Sequence, residues 1–149
     1  MKKIFDLLRG DWTIYRTMTA VTGASLGKFK GTVSFVSDKE RMILSYKEKG
    51  DLKTFNKKIK VFKNYVYKFN SRENFFEVYF DEKPLRFFHA VKWKEAQGGI
   101  MVGQGSTHKC SQDIYQLSYQ LFSGHLLFVN CKVSGPKKNY IINSTFFKL

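Results

Sequence analysis

Residues 8–18 read Leu8-Arg9-Gly10-Asp11-Trp12-Thr13-Ile14-Tyr15-Arg16-Thr17-Met18, and the pattern changes character at the glycine. Before it, Lys2 to Arg9 sets Ile4, Phe5 and Leu8 on one helical face, the spacing of a short amphipathic helix stopped by Gly10. After it, Trp12, Ile14, Arg16 and Met18 alternate with Thr13, Tyr15 and Thr17, the two-residue period of a strand with one buried face. A tryptophan beside the helix-strand junction belongs in a core. Arg16 shares its side, so the alternation predicts an arginine inside the fold.

The helical period does not return further along the chain. Strand-length segments are predicted near 11–19, 28–37, 41–51, 53–63, 64–70, 73–81, 85–94, 99–110, 112–122, 125–134 and 138–148, broken at Gly, Asn, Asp and Ser clusters. Their connections are too short for crossover helices, so the expected fold is all-β: one antiparallel up-and-down meander of about ten strands with a short N-terminal helix. Closing the meander into a barrel removes its edges. The 149 residues, 43% hydrophobic and 17% aromatic with two prolines, suit a single domain over 1–149 with a substantial core. No apolar run approaches the roughly 20 residues of a membrane-spanning helix, and the opening residues meet charge too soon for a secretory segment. A soluble cytoplasmic protein is expected, with Cys110 and Cys131 as free thiols.

The formal charge of +14 suggests a nucleic-acid or anionic-surface partner. Of the 26 basic residues, however, 21 are Lys and five are Arg, a profile that AT-rich codon usage also produces. The basic runs Lys57-Lys58-Ile59-Lys60 and Pro136-Lys137-Lys138 fall near expected turns. The charge is therefore expected to be spread over the outside, without a stripe of interleaved aromatics, and nucleic acid is not the favoured partner.

Alternation assigns the remaining faces. In 112–122, Asp113, Tyr115, Leu117, Tyr119 and Leu121 are expected inside, with Ile114, Gln116, Ser118 and Gln120 outside. In 85–94 the inner set reads Leu85, Phe87, His89, Val91 and Trp93, and the outer set Arg86, Phe88, Ala90, Lys92 and Lys94. In 41–49, Met42, Leu44, Tyr46 and Glu48 face in. The interior so predicted holds Arg16, Glu48, His89, Asp113 and the tyrosines 46, 115, 119 and 140. Such groups must pair, hydrate or meet a ligand, because a buried charge without partners is costly. Arg16 is expected to face Asp113 or Glu48, with Tyr46, Tyr115 or Tyr119 completing its hydrogen bonds.

Gly10-x-Trp12 after a short helix resembles the opening of the calycin barrels, the lipocalin and fatty-acid-binding group. In those barrels a basic side chain of the last strand lies over the Trp, a place the resemblance gives to Lys148. A resemblance covering nearly the whole chain rests on Gly10-x-Trp12-x3-Arg16, Gly27-x-Phe29-x-Gly31, Tyr46-x-Glu48-x-Gly50, His108-x-Cys110-x2-Asp113-x-Tyr115-x3-Tyr119 and Gly135-Pro136-x3-Tyr140. These motifs look like an uncharacterised family of small calycin-like domains, in which an aromatic is usual at Cys131 and an Arg-rich end at Lys148. The resemblance implies the barrel and supplies no substrate.

His108, Cys110 and Asp113 lie within six residues. No C-x-x-C or H-E-x-x-H accompanies them, so no metal site is expected. His108 and Cys110, two apart on a strand, stand about 7 Å from each other, too far for direct proton transfer. A single His is a poor basis for a haem site, and no cofactor is expected. The favoured function is binding of a small, partly polar or anionic organic ligand within the barrel. Its candidate residues are Arg16, Tyr46, Glu48, His89, His108, Asp113, Tyr115, Tyr119 and Tyr140. The alternatives are an enzyme using the same cavity with His108 or Asp113 as acid or base, and a basic binder of nucleic acid or acidic lipid.

Overall fold

In a computed structural model of the chain, residues 2–70 and 75–149 are described. Helix α1 (Lys2–Leu8) leads into β1 (Gly10–Ala20), β2 (Ser25–Asp38), β3 (Ile43–Thr54), β4 (Lys57–Asn70), β5 (Phe75–Phe80) and β6 (Arg86–Glu95). A single 3-10 turn then precedes β7 (Met101–Gly105), β8 (His108–Cys110), β9 (Asp113–Phe122), β10 (Leu126–Ser134) and β11 (Asn139–Lys148). Each strand pairs antiparallel with its neighbour, and β11 returns to β1 through Trp12↔Lys148 and Arg16↔Ser144. β7 and β8 lie one after the other along β9, so the predicted strand 99–110 occupies one position in two pieces. The result is a closed ten-position antiparallel barrel with one N-terminal helix. Among the described residues, no helix is long and apolar enough to cross a membrane.

α1 plugs the end from which β1 departs. Ile4, Phe5 and Leu8 are each 1% exposed, and the Phe5 ring meets Phe69 edge-on at 5.2 Å. Gly10 takes φ +122°, which lets the chain turn sharply from helix into strand. Trp12 is fully buried and donates from Nε1 to the Leu8 carbonyl at 2.8 Å. Lys148 stands 5.3 Å from the Trp12 ring and donates to the Leu7 carbonyl at 2.7 Å, a cation–π contact that also satisfies a helix C-terminal carbonyl.

The glycine motifs mark a tight corner. Gly31 and Gly50 are register partners on the inner face of β2 and β3. A Cβ on Gly50 would collide with the Lys30 carbonyl oxygen and the Gly31 Cα, so side chains are excluded where the two strands approach most closely.

Two expectations about the strands need correction. The strands predicted at 53–63 and 64–70 are one strand: Asn64, at the expected boundary, pairs with Lys47 inside the β3–β4 ladder, and the turn falls at residues 55–56. In the predicted strand 73–81, residues 73 and 74 lie outside the described residues. On β6 the alternation slips. Val78 pairs with His89 but Tyr79 pairs with Phe87, so a β-bulge inserts Phe88 as an extra residue. Phe87 is consequently outside and 46% exposed, and its ring meets Tyr79. Phe88, expected outside, turns to the interior, and Arg86, also expected outside, reaches the cavity while staying exposed.

The charge is also not evenly spread. Lys28 and Lys30 on β2, Lys47, Lys49 and Lys53 on β3, and Lys58 and Lys60 on β4 share one outer face and are all exposed. Their acidic neighbour within that face is Asp51, 3.7 Å from Lys58 and 3.5 Å from Lys60. The outer face of β9 and β10, by contrast, carries Gln116, Ser118, Gln120 and Asn130 with the lysine Lys132.

Candidate functional site

A cavity of about 430 Å³ occupies the half of the barrel away from α1, a size within the range of small-molecule sites. Half of its wall is aromatic: Tyr46, Tyr65, Tyr67, Phe80, Phe88, His89, His108, Tyr115, Tyr119, Tyr140 and Phe146 all contribute. This follows from the strand register, which sets Tyr46 opposite Tyr65, Tyr67 opposite Val78, and His108 opposite Tyr115 on the inner face.

At one side of the cavity lies a buried ion pair. Arg16 Nη1 donates to Glu48 Oε2 at 2.9 Å, Nη2 donates to Oε1 at 2.8 Å, and Nε donates to Ser144 Oγ at 2.8 Å. Tyr46 donates its hydroxyl to the same carboxylate at 2.5 Å. The Glu48 side chain is fully buried and Arg16 keeps 15% exposure. Burial alone would raise the Glu48 pKa, but the Arg16 hydrogen bonds and charge, helped by Tyr46, hold it below the ordinary carboxylate range. For Arg16, burial lowers the pKa and the Glu48 contacts more than reverse this, so both groups are charged. A guanidinium carries five N–H donors. Three are used here, so Arg16 presents hydrogen-bond donors to the cavity while Glu48 cancels its charge.

The other cations differ in their partners. Arg86 forms an exposed pair with Glu82 at 2.9 Å and lies 3.9 Å from the Phe80 ring centre. Lys138, on the rim, approaches Asp113 at 3.2 Å and the Tyr115 hydroxyl at 3.4 Å. Lys63 lines the cavity on the inner face opposite Glu48, whose carboxylate is already taken by Arg16 and Tyr46. Among the described residues, Lys63 is the cavity cation with no ion pair. It is exposed at the mouth, and loss of hydration, then the neighbouring Arg16 charge, pull its pKa below the ordinary range.

The two histidines of the cavity have lowered pKa values. His89 is 1% exposed, shares a 2.6 Å hydrogen bond between Nε2 and the Tyr119 hydroxyl, and is pushed down to a pKa of about 3 by burial and then by His108. Its Nδ1 is buried without a partner. His108 lines the mouth against Phe88, ring centres 5.1 Å apart, and its pKa is also lowered, by burial and then by Arg86.

Of the nine residues singled out from the sequence, Arg16, Tyr46, His89, His108, Tyr115, Tyr119 and Tyr140 line this one cavity. Glu48 stands behind Arg16 without lining it. Asp113 faces Lys138, not Arg16, and lies outside the lining. A Cβ on Gly135 would collide with Asp113 Oδ1, so the Asp113 and Gly135-Pro136 motifs meet as a clamp that fixes the β10–β11 turn. Tyr115 and Tyr119 make no hydrogen bond to Arg16; Ser144 takes the place expected of them. Lys63, Tyr65 and Tyr67 were missed because β4 was divided in two, which broke the alternation leading from Tyr67 to Lys63. Arg86 and Phe88 were hidden by the bulge, which leaves no mark in the sequence.

The chain is a small closed β-barrel, plugged at one end by α1 and holding an internal cavity with many aromatic walls. Residues 8–148 match the family of unknown function DUF6314, and the chain belongs to that family. No curated protein shows significant sequence similarity to it. The structure of the S-type phycobiliprotein lyase CPES from Guillardia theta is similar at a TM-score of 0.63 with 12% identity, over 99% of this chain and 92% of that one. A de novo designed fluorescence-activating β-barrel is similar at a TM-score of 0.52 with 13% identity, over 100% of both chains. At such identities the likeness concerns the fold.

Proposed function

We propose that this barrel binds a flat, unsaturated organic molecule carrying one anionic group, with its rings among the cavity tyrosines and phenylalanines and its anion at Lys63. The observation that carries the reading is the charge arrangement around the cavity. Arg16 is neutralised by Glu48 and offers two further donors, whereas Lys63, in the field of the same carboxylate, makes no ion pair of its own among the described residues. An anion entering between them gains a charge-assisted hydrogen bond without displacing an existing pair. Aromatic walls favour planar ligands, and Tyr115 and Tyr140 at the mouth offer hydroxyls to a polar substituent.

Titration with 1-anilinonaphthalene-8-sulfonate, an aromatic anion with a planar naphthalene ring system, tests this. One site per barrel is expected, with Lys63→Met weakening it at least tenfold, the equivalent of one charged hydrogen bond. Equal affinity in the variant, or several weak sites, would count against the reading. The enzymatic alternative is left with His108, which is at the cavity mouth and neutral, since Asp113 is committed to Lys138.

A further inference from the structure

We infer that the outer face of β2–β4, together with the rim it ends in, docks onto an anionic lipid bilayer. This inference stands independently of what the cavity holds. On that face Lys28, Lys30, Lys47, Lys49, Lys53, Lys58 and Lys60 surround one acid, Asp51, while Asp38 and Lys68 stand at the end of the face nearer α1. At the rim away from α1, the turn between β3 and β4 carries Phe55, which is 97% exposed, and Ile59 follows it at 48%. The neighbouring β1–β2 turn adds Val21 and the start of β2 adds Leu26, 64% and 42% exposed. Apolar tips beside a lysine field are what an interfacial binder needs: the tips enter the acyl boundary while ammonium groups meet lipid phosphates and carboxylates.

The residue types favour lipid over nucleic acid. The face has lysines and no arginine, and lysine is a point charge suited to a diffuse anionic surface, whereas arginine supplies bidentate phosphate and base contacts. Base stacking would need rings among the lysines. Phe62 and Tyr15 are there, but Tyr15 already packs on Phe147 under Lys30. The most exposed ring, Phe55, is at the tip. The docked orientation turns the open end of the barrel toward the bilayer, so a membrane-dissolved molecule would meet the cavity mouth directly.

Flotation with vesicles of phosphatidylcholine, alone or mixed with phosphatidylserine, tests the inference on the intact chain. Binding is expected to the mixed vesicles only and should be lost as salt is raised. Lys28→Gln/Lys49→Gln/Lys53→Gln should weaken it roughly 100-fold, and Phe55→Asp should weaken it with every lysine retained. Failure of wild-type protein to float with the mixed vesicles overturns the inference, as does undiminished binding by a folded triple variant. If that variant does not fold, binding by wild type that is indifferent to salt overturns it equally. Tighter binding to single-stranded nucleic acid than to the mixed vesicles at the same salt assigns the face to nucleic acid instead.

Discussion

Glu48→Gln leaves Arg16 charged, 15% exposed and without a counter-ion. The wild-type carboxylate accepts three hydrogen bonds, two from Arg16 and one from Tyr46. The amide keeps one acceptor oxygen and turns an NH₂ toward a guanidinium that can only donate. Removing one partner of a buried pair costs roughly 3–5 kcal/mol. Because Arg16 adjoins the cavity and is not sealed from solvent, the lower end applies: about 3 kcal/mol, or a fall in Tm of about 6–12 °C for a chain of this length. Arg16→Met should cost at least as much, since it strands the more deeply buried Glu48. In Arg16→Met/Glu48→Leu neither charge remains, only the Tyr46 and Ser144 hydroxyls lose partners, and the loss should be about 2 kcal/mol. Urea denaturation followed by tryptophan fluorescence reads this out, because Trp12 and Trp93 are both buried. Losses for Arg16→Met and Glu48→Leu taken singly that sum to the loss in the double variant within about 0.5 kcal/mol would refute the coupling.

Three other perturbations probe separate parts of the barrel. His89 is neutral when folded, with a pKa near 3 against about 6.5 unfolded, so its contribution is complete above pH 6.5 and is lost as pH falls toward 3. Between pH 6.5 and 5 wild type should lose about 2 kcal/mol. His108, also lowered, adds in the same direction, and His89→Gln should flatten most of the slope in urea titrations across that window. Gly50→Ala should cost about 2–3 kcal/mol by the same assay, since its Cβ meets backbone that cannot move aside; a loss below about 0.5 kcal/mol would contradict the corner. Cys110 is exposed at the cavity mouth, whereas Cys131 is buried with its thiol pushed up to about 11. A thiol reagent should therefore find one fast site in native protein and two after denaturation, and two fast native sites would contradict the placement of Cys131.

The sequence made legible what regular alternation controls. Trp12 through Met18 run without interruption, so the buried tryptophan and the interior arginine both follow from one period of two. Glu48 and Tyr46 were placed by the same logic, and Glu48 is the acid that Arg16 meets. The Lys148 lid over Trp12 came from the calycin resemblance. What stayed hidden depended on breaks in the period. The bulge at Phe88 exchanges the faces of residues 86–88 and depends on pairing with β5, a non-local fact. Asn64 has turn propensity but sits in a ladder whose register its neighbours set. The lysine face was invisible for a related reason: its members come from three strands, 32 positions apart at the extremes from Lys28 to Lys60, and become neighbours only through strand register.

Central to the proposed function is a planar anion held in the cavity against Lys63 and Arg16. The most direct test is the crystal structure of protein purified from its native source, paired with native mass spectrometry of the same sample. The expected result is a mass above that of the polypeptide and flat density among Tyr46, Tyr65 and Tyr119, with an acidic group within hydrogen-bond distance of Lys63 Nζ. A native mass equal to the bare chain, together with a cavity containing only water, would contradict it.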